Sequence, residues 1–396
     1  MDALLTVAEA LARVLARVEP LPAERVELAS ASGRILAEAA VSPIDLPPFR
    51  SSAMDGYAVR AADLPGTLRV VDQAAAGRPA TSELGPCEAI EISTGGVVPT
   101  GADTVVQVER VLVRPGEVEI GEAADAGGNV RDLGRDVREG ATVLESGELL
   151  TPARLAALAA CGIGSVLTIR RPLVTIVVTG TELRPAGETL RPGEIYESNG
   201  ILIAATLEEA GAVVERTGAT DDTREAHFRA LEQALRADVV VTSGGVSVGP
   251  HDLVRRVGAE LGVEEVFWGV AMRPGKPLAF GVSGSTLVFG LPGNPVSSLV
   301  GCLLFVRPAL LALQGHRDPA PPFRPGTLAT EVRQHPERDD FVRARAIWTE
   351  EGALLHPTVG QESHMIVRTT AADAIVHIPR GAAVLEAGTR VRFLAF

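Results

Sequence analysis

The sequence predicts a multidomain α/β protein, in which a central doubly wound α/β domain is accompanied by a β-rich second domain and a C-terminal β-barrel. Three observations carry this. Between residues 172 and 315, continuous Val/Ile runs alternate with amphipathic stretches, the pattern of a parallel sheet covered on both faces by helices. From about 45 to 145 the chain is rich in Gly and Pro, with short apolar runs such as TVVQVERVLV, which reads as β structure. After Gly315, the segments FVRARAIW, AIVHIP and TRVRFLAF alternate with period two, and residues 316–396 are expected to form a small barrel.

Taken in order, residues 3–18 place Leu4, Val7, Leu11, Val14, Leu15 and Val18 at helical spacing. This helix is grouped with residues 146–171 as a helical linking domain (1–44 and 146–171) interrupted by the β-rich insertion 45–145. Within 146–171, TPARLAALAACG offers Thr151 as N-cap, Pro152 at the first helical position and Gly162 as stop. The central domain, 172–315, begins with the strand PLVTIVVTG. There follow helices at SNGILIAATLEEAG and DDTREAHFRALEQALR, the latter with Asp222 and Glu225 as a capping box. DVVVTSGG is a second buried strand, HDLVRRVGAELG a helix and STLVFG a further strand.

Composition limits the function. With 396 residues, 46% hydrophobic and 22% charged, the chain can bury a large core and should form two to four domains. A net charge of -13 opposes sequence-independent nucleic-acid binding, which needs a basic face. It permits a small anion, since charges farther than about 8 Å away are largely screened at physiological salt. The opening MDALLTVAEA lacks a basic stretch, and the apolar run Val300–Leu313 is interrupted by Arg307 and Pro308, short of the ~20 residues a bilayer span needs. A cytoplasmic protein without membrane association is expected. Cys87, Cys161 and Cys302 are far apart and show no metal spacing, so buried reduced thiols are expected.

In a doubly wound domain the chemistry belongs at the carboxyl ends of the strands. Four unusual stretches lie there: TGTEL, TSGGVSVGPHD, RPGKP and GLPGNPVSS. Ser243, Gly244, Gly245 and Gly249 leave backbone N–H groups uncovered ahead of a helix, a natural anion cradle. Residue scarcity adds a second line. Lys276 is the single lysine against 36 arginines, the three asparagines are Asn129, Asn199 and Asn294, and the two tyrosines are Tyr57 and Tyr196. All six fall in Gly/Pro-punctuated segments. Lys is a compact ammonium and Arg a planar fork, so they are not equivalent at a tight oxyanion site. A charge-assisted hydrogen bond contributes about 1.5–3 kcal/mol against about 0.3–1 kcal/mol for a helix dipole, so Lys276 and Arg273 are expected to dominate anion affinity. Asp55, Asp136, Glu182, Asp221 and Asp252 lie in or beside the same motifs, and such acids facing phosphates suggest Mg²⁺.

The motifs SAMDGYAV, STGGVVPTGADTVV, GGNVRDLGRD, TGTEL, PGEIYESNG, TSGGVSVG, RPGKP and GLPGNPVSS, in this order, resemble those of the MoeA family, the molybdopterin molybdenumtransferases related to the gephyrin E domain. The resemblance spans nearly the whole chain. It implies a molybdopterin-binding type of central domain and an elongated homodimer, with a cleft between the α/β domain of one subunit and the β-rich domain of the other. It also implies a reaction: adenylylated molybdopterin and molybdate are taken up, AMP is released with Mg²⁺, and the metal is placed on the dithiolene. By matching position it assigns catalysis to Asp55, Arg273, Lys276 and Asp252, substrate binding to Thr94, Asp136, Ser243, Gly244, Gly245, Asn294, Ser297 and Arg343, and metal binding to Glu182 and Asp221.

The implied partners are a molybdopterin adenylyltransferase and apo-molybdoenzymes. A receptor-binding scaffold dimer, a tungstate insertase and a nucleotidyltransferase are the alternatives. The chain departs from the family pattern with Thr181 where Asp is usual, Arg273 where Lys is usual, and Val367 and Arg368 where a serine follows the Ser-His pair. The last change removes one hydroxyl donor from the neighbourhood of the oxyanion.

Overall fold

The computed structural model describes residues 4–217, 223–245 and 253–396. The chain divides into two compact units, Arg25–Thr168 and Met1–Glu24 with Ile169–Phe396.

The unit of residues 25–168 is built on a six-stranded sheet. Its order is Thr104–Gln107, Gly56–Val59, Glu88–Ile92, Gly66–Ala74, Glu117–Ile120, Leu112–Arg114. Side chains alternate across it as the pleat requires. Ala58, Ile90 and Val105 enter one apolar cluster, while Tyr57, Val59, Ala89 and Val106 enter another. Each fully buried Val or Ile contributes about 1.5–3 kcal/mol. A Cβ at Gly56 would collide with the Val106 carbonyl, so the MDGY turn closes tightly and leaves Asp55 at the strand's mouth. The helix Pro152–Ala160 has its expected ends: Thr151 Oγ1 accepts from Arg154 N at 3.5 Å, and Gly162 adopts φ +79°.

In the other unit, the helix Val7–Leu15 is opened by a capping box between Thr6 and Glu9. Its Ala10 and Val14 are buried in the same core as Val174, Val239 and Phe289. It therefore packs on the α/β strands, a surface that an apolar stripe by itself does not encode. The central sheet runs Val213–Arg216, Leu173–Val178, Val239–Ser243, Thr286–Leu291, Ala279–Ser283, Glu264–Trp268. The first four strands are parallel, as expected, but Ala279–Ser283 runs antiparallel to both of its neighbours, Thr286–Leu291 and Glu264–Trp268. The sequence carried that signal: Ser283 pairs with Thr286 across Gly284-Ser285, a Gly-Ser hairpin loop, with Gly284 at φ +58°. The helix Arg224–Ala234 is capped by Thr223, whose hydroxyl accepts from Ala226 N at 3.2 Å. The expected cap Asp222 lies outside the described residues.

Pro295–Leu313 forms one helix long and apolar enough to cross a membrane by length and composition, with 83% of its apolar window buried in the protein. It is a core helix, longer than the interrupted run read from the sequence. Its Cys302–Val306 segment is π-helical. Pro308 has no N–H to return to Leu304, which accounts for the widened ladder. Cys161 and Cys302 are buried as expected, with burial pushing the Cys302 thiol well above its ordinary value, but Cys87 is exposed at φ 55°.

Five C-terminal strands, Asp339–Thr349, Gly352–Pro357, Arg324–Leu328, Arg390–Ala395 and Ala374–Ile378, close into a barrel when the last pairs with the first. Leu328, Ala344, Leu355, Val376 and Phe393 fill it. Met272–Arg273 adds to this sheet in parallel beside Asp339–Asp340. The RPGKP loop is thereby stitched to the barrel while it belongs in sequence to the α/β domain.

Candidate active site

The ends of two parallel strands, Val239–Ser243 and Thr286–Leu291, meet the start of the helix Asn199–Glu209 around one buried amide. Asn199 Nδ2 donates to Ser243 Oγ at 2.8 Å and to the Gly293 carbonyl at 2.7 Å, fastening the SNG, TSGG and LPGN segments together. Gly244 and Gly245 have φ +95° and +67°. A Cβ at Gly244 would stand 2.9 Å from Thr179 Oγ1, and one at Gly245 would stand 2.6 Å from Val254 Cγ2. Both the backbone conformation and the close approach demand glycine. The Gly244 N–H is spent on the Leu291 carbonyl at 3.1 Å, so the cradle is narrower than the sequence suggested. The Gly245 N–H has no partner among the described residues. These loops line a cavity of about 590 Å³ together with Gly180, Glu182, Tyr196 and Glu197.

Glu182 is exposed in that cavity, and its carboxylate fills the place a Cβ on Gly180 would need, 2.7 Å from Oε2. Glu197 Oε1 accepts from Gly200 N at 2.6 Å, which leaves Glu182 the freer carboxylate. Among the described residues no three His, Cys, Asp or Glu side chains converge on one point. The exposed Glu182 carboxylate is the group there that could take part in holding Mg²⁺, which commonly takes one or two protein carboxylates and completes its shell with phosphate and water. Asp221, Asp222, Gly249 and Asp252 lie outside the described residues.

A second cavity, of about 670 Å³, is lined by Arg273, Lys276, Asn294, Ser297, Asp340 and His364 among others. Gly275 holds φ +105°, and a Cβ there would collide with Met272 Cε, so the loop turns sharply before Lys276. The Lys276 carbonyl accepts from Val270 N at 3.0 Å, while its side chain is exposed with no acidic partner among the described residues. Arg273 is different. Its Nε donates to Asp340 Oδ1 at 2.7 Å and its Nη2 to Asp340 Oδ2, and Asp340 is buried. This bidentate pair offsets the Arg273 charge, so the cations of the groove without an acidic partner among the described residues are Lys276 and Arg338, the latter hydrogen-bonded through Nη2 to His335 Nε2 at 2.8 Å. Ser297 is buried at the cavity wall.

Arg343 does not line either cavity. It is fully buried, with its Nη atoms donating to the carbonyls of Met365 at 2.6 Å, Gly360 at 2.6 Å and Glu362 at 3.2 Å, and to Thr369 Oγ1 at 3.0 Å. Its Nε has no partner. Desolvation pushes its guanidinium down from the ordinary value, against the opposing pull of Glu362. In place of a contact with an oxyanion, it clasps the 360–369 segment. Position along a strand gave no hint of this, because FVRARA presents both arginines in the same alternating pattern.

In the unit of residues 25–168, Asp55 and Thr94 are brought together: Asp55 Oδ1 accepts from Thr94 N at 2.7 Å, joining the MDGY and STGG turns. Both side chains are exposed, as is Asp136, whose N–H donates to the Leu46 carbonyl at 2.9 Å. The sequence reading missed Asp340, Arg338 and Gln361, which line the second cavity. They are common residue types in a barrel strand and loop, so scarcity could not find them. Asp340 was detectable only as the second of two adjacent acids opposite the RPGKP loop.

A sheet with acid- and glycine-lined strand ends, stitched to a barrel across a lysine-bearing groove, defines a multidomain protein of the molybdopterin-binding α/β class. Family models match over residues 5–162 (MoeA N-terminal region, domains I and II), 175–312 (probable molybdopterin binding domain) and 325–396 (MoeA C-terminal region, domain IV). The chain is 37% identical to molybdopterin molybdenumtransferase 2 of Mycobacterium tuberculosis over 93% of each chain. It is 36% identical to molybdopterin molybdenumtransferase of Haemophilus influenzae over 99% of each. A crystal structure of the MoeA molybdopterin biosynthesis protein from Pyrococcus horikosii superposes with a TM-score of 0.84 at 34% identity, covering 99% of each chain. This chain belongs to the MoeA family.

Proposed function

We propose that this chain is a molybdenum insertase, a transferase of molybdenum cofactor biosynthesis that ligates molybdate to the dithiolene of adenylylated molybdopterin and releases AMP. The observation that carries the reading is the pairing of two adjoining cavities. One holds the unpaired ammonium of Lys276 beside Ser297, and the other holds Glu182 beside the Gly244-Gly245 turn. Asn294 and His364 line both. A tetrahedral oxyanion fits the first and a diphosphate the second.

In this reading Lys276 donates to the molybdate oxygens, and the N–H of Gly245 donates to a phosphate oxygen. Glu182 holds the divalent cation together with Asp221. When bound, Mg²⁺ neutralises charge building on the phosphates as the pyrophosphate link breaks. Asp55, Thr94 and Asp136 act from the β-rich domain of a second subunit in a homodimer, and Asp252 from the turn after TSGG.

The test is incubation of the protein with adenylylated molybdopterin, Mg²⁺ and molybdate, following AMP release together with activation of an apo-molybdoenzyme. Both signals are expected, and both should vanish without the cation. Activation with tungstate in preference to molybdate would redirect the reading to the tungsten cofactor, and absence of both signals would favour a scaffold dimer.

A further inference from the structure

His364 stands on a segment fixed from both sides. Arg343 holds the carbonyls of Gly360, Glu362 and Met365. The neighbouring Ser363 is fastened twice, its carbonyl accepting from Val296 N at 3.1 Å and its hydroxyl from Asn294 Nδ2 at 2.8 Å. The His364 carbonyl itself accepts from Ile366 N at 2.9 Å. The backbone is thus positioned immediately before and after residue 364, while the imidazole is exposed and makes no hydrogen bond or ion pair with any described residue.

Of the described residues lining the two cavities, Asn294 and His364 alone are common to both. The Asn294 amide is engaged with Ser363, so the imidazole is the free polar group at the shared wall. A side chain with no partner among the described residues, held on a pinned backbone at a wall common to two cavities, is arranged for a ligand.

We propose that His364 is a further binding residue of the reaction. Its imidazole N–H donates to an oxygen of an anion bound at the wall that the lysine groove and the diphosphate cavity share. Neutral imidazole has one N–H to give and protonated imidazole two, and either serves this contact. The inference rests on the function proposed above.

The experiment uses the full chain and follows the imidazole resonances of its seven histidines by NMR, with the His364 signal assigned through His364→Gln. Sodium molybdate, AMP and the two together are the probes, and calorimetry runs in parallel. Molybdate and AMP are each expected to move the His364 signal. His364→Ala is expected to raise the molybdate Kd about tenfold at unchanged Tm, and His364→Gln, which keeps an N–H donor, to recover most of that loss. Molybdate heat with an unmoved His364 signal, or an unchanged Kd in His364→Ala, overturns this inference and leaves the function standing. An absence of molybdate heat in the parent protein sinks both.

Discussion

The two adjoining cavities are made by opposite means. The lysine groove is assembled from segments far apart in the chain, 272–277, 294–297, 338–342 and 361–364, and what distinguishes it is the chemistry of its side chains. The glycine cavity is built on the ends of three adjacent strands of one sheet, at 178–180, 243–245 and 293–295, and completed by residues 182–183, 195–199, 364 and 366, and what distinguishes it is backbone that no Cβ can enter. The first should therefore respond to changes of charge and donor geometry at unchanged stability. The second should respond to a single added methyl group, and should lose stability as it does so.

The largest expected effect is at Lys276. Lys276→Ala removes an uncompensated cation and should lower insertion turnover about a hundredfold, from the loss of about 2–3 kcal/mol in charge-assisted hydrogen bonding. Lys276→Arg, which retains charge but substitutes a planar fork, should still lose about tenfold. Thermal melting should be unchanged in both. Near-normal turnover in the Arg variant would make the scarcity of lysine a compositional accident and erase the contrast between the cavities.

Gly244→Ala is the converse test. The residue is at φ +95°, and a methyl group would press on Thr179 Oγ1 at 2.9 Å. Strain of about 1–3 kcal/mol is expected, seen as a lower Tm together with weaker AMP binding. Molybdate affinity in the neighbouring groove should stay within about twofold. A variant that melts like the parent would show that the turn relaxes freely and that its glycines are not structurally required.

Much of this was legible in the sequence, and what was not has physical reasons. The parallel strands were read correctly because continuous Val/Ile runs bounded by Gly turns admit few other structures, and the helix caps at Thr151 and Gly162 were read from local chemistry alone. Scarcity pointed to Lys276, to Asn199 and to Asn294, each of which proved to join segments distant in sequence or to line a cavity. Tyr57 is buried in the core of the β-rich unit, and Asn129 sits at φ 54°, donates to the Val105 carbonyl at 2.9 Å and lines a separate cavity of that unit. Scarcity marks positions where a residue is hard to replace, and a left-handed turn or a packed ring is as demanding as a ligand. The pairing of Arg273 with Asp340 and the burial of Arg343 were invisible, because both depend on tertiary contact with the barrel.

Asp340→Asn sharpens the charge side of the comparison. It leaves the Arg273 guanidinium uncompensated beside Lys276, so the groove gains one net positive charge. The molybdate Kd should fall about two- to fivefold at low ionic strength, and that gain should shrink as salt rises. Weaker binding instead would mean that Asp340 aims Arg273 at the ligand and that the pair acts as one oriented donor.

The smallest effect should come from the opposite end of the sheet, at the strand starts. Asp238 precedes the strand Val239–Ser243, and its carboxylate accepts from Arg170 Nη1 at 2.7 Å, from Arg170 Nη2 at 2.6 Å and from Leu173 N at 2.8 Å. Desolvation raises its pKa, but the Arg170 and Leu173 hydrogen bonds outweigh that and hold it below the ordinary carboxylate value. A folded-state pKa below the unfolded value of about 3.9 means that the unfolded chain binds the proton more readily. The stabilisation is therefore fully present above about pH 4 and is lost as pH falls through the folded value. Asp238→Asn should melt lower than the parent at pH 7, with the gap closing toward pH 3, while molybdate and AMP affinities remain those of the parent at every pH where both proteins are folded. A change in either affinity would show that the strand starts and strand ends are energetically coupled, and that the two cavities cannot be treated as local constructions.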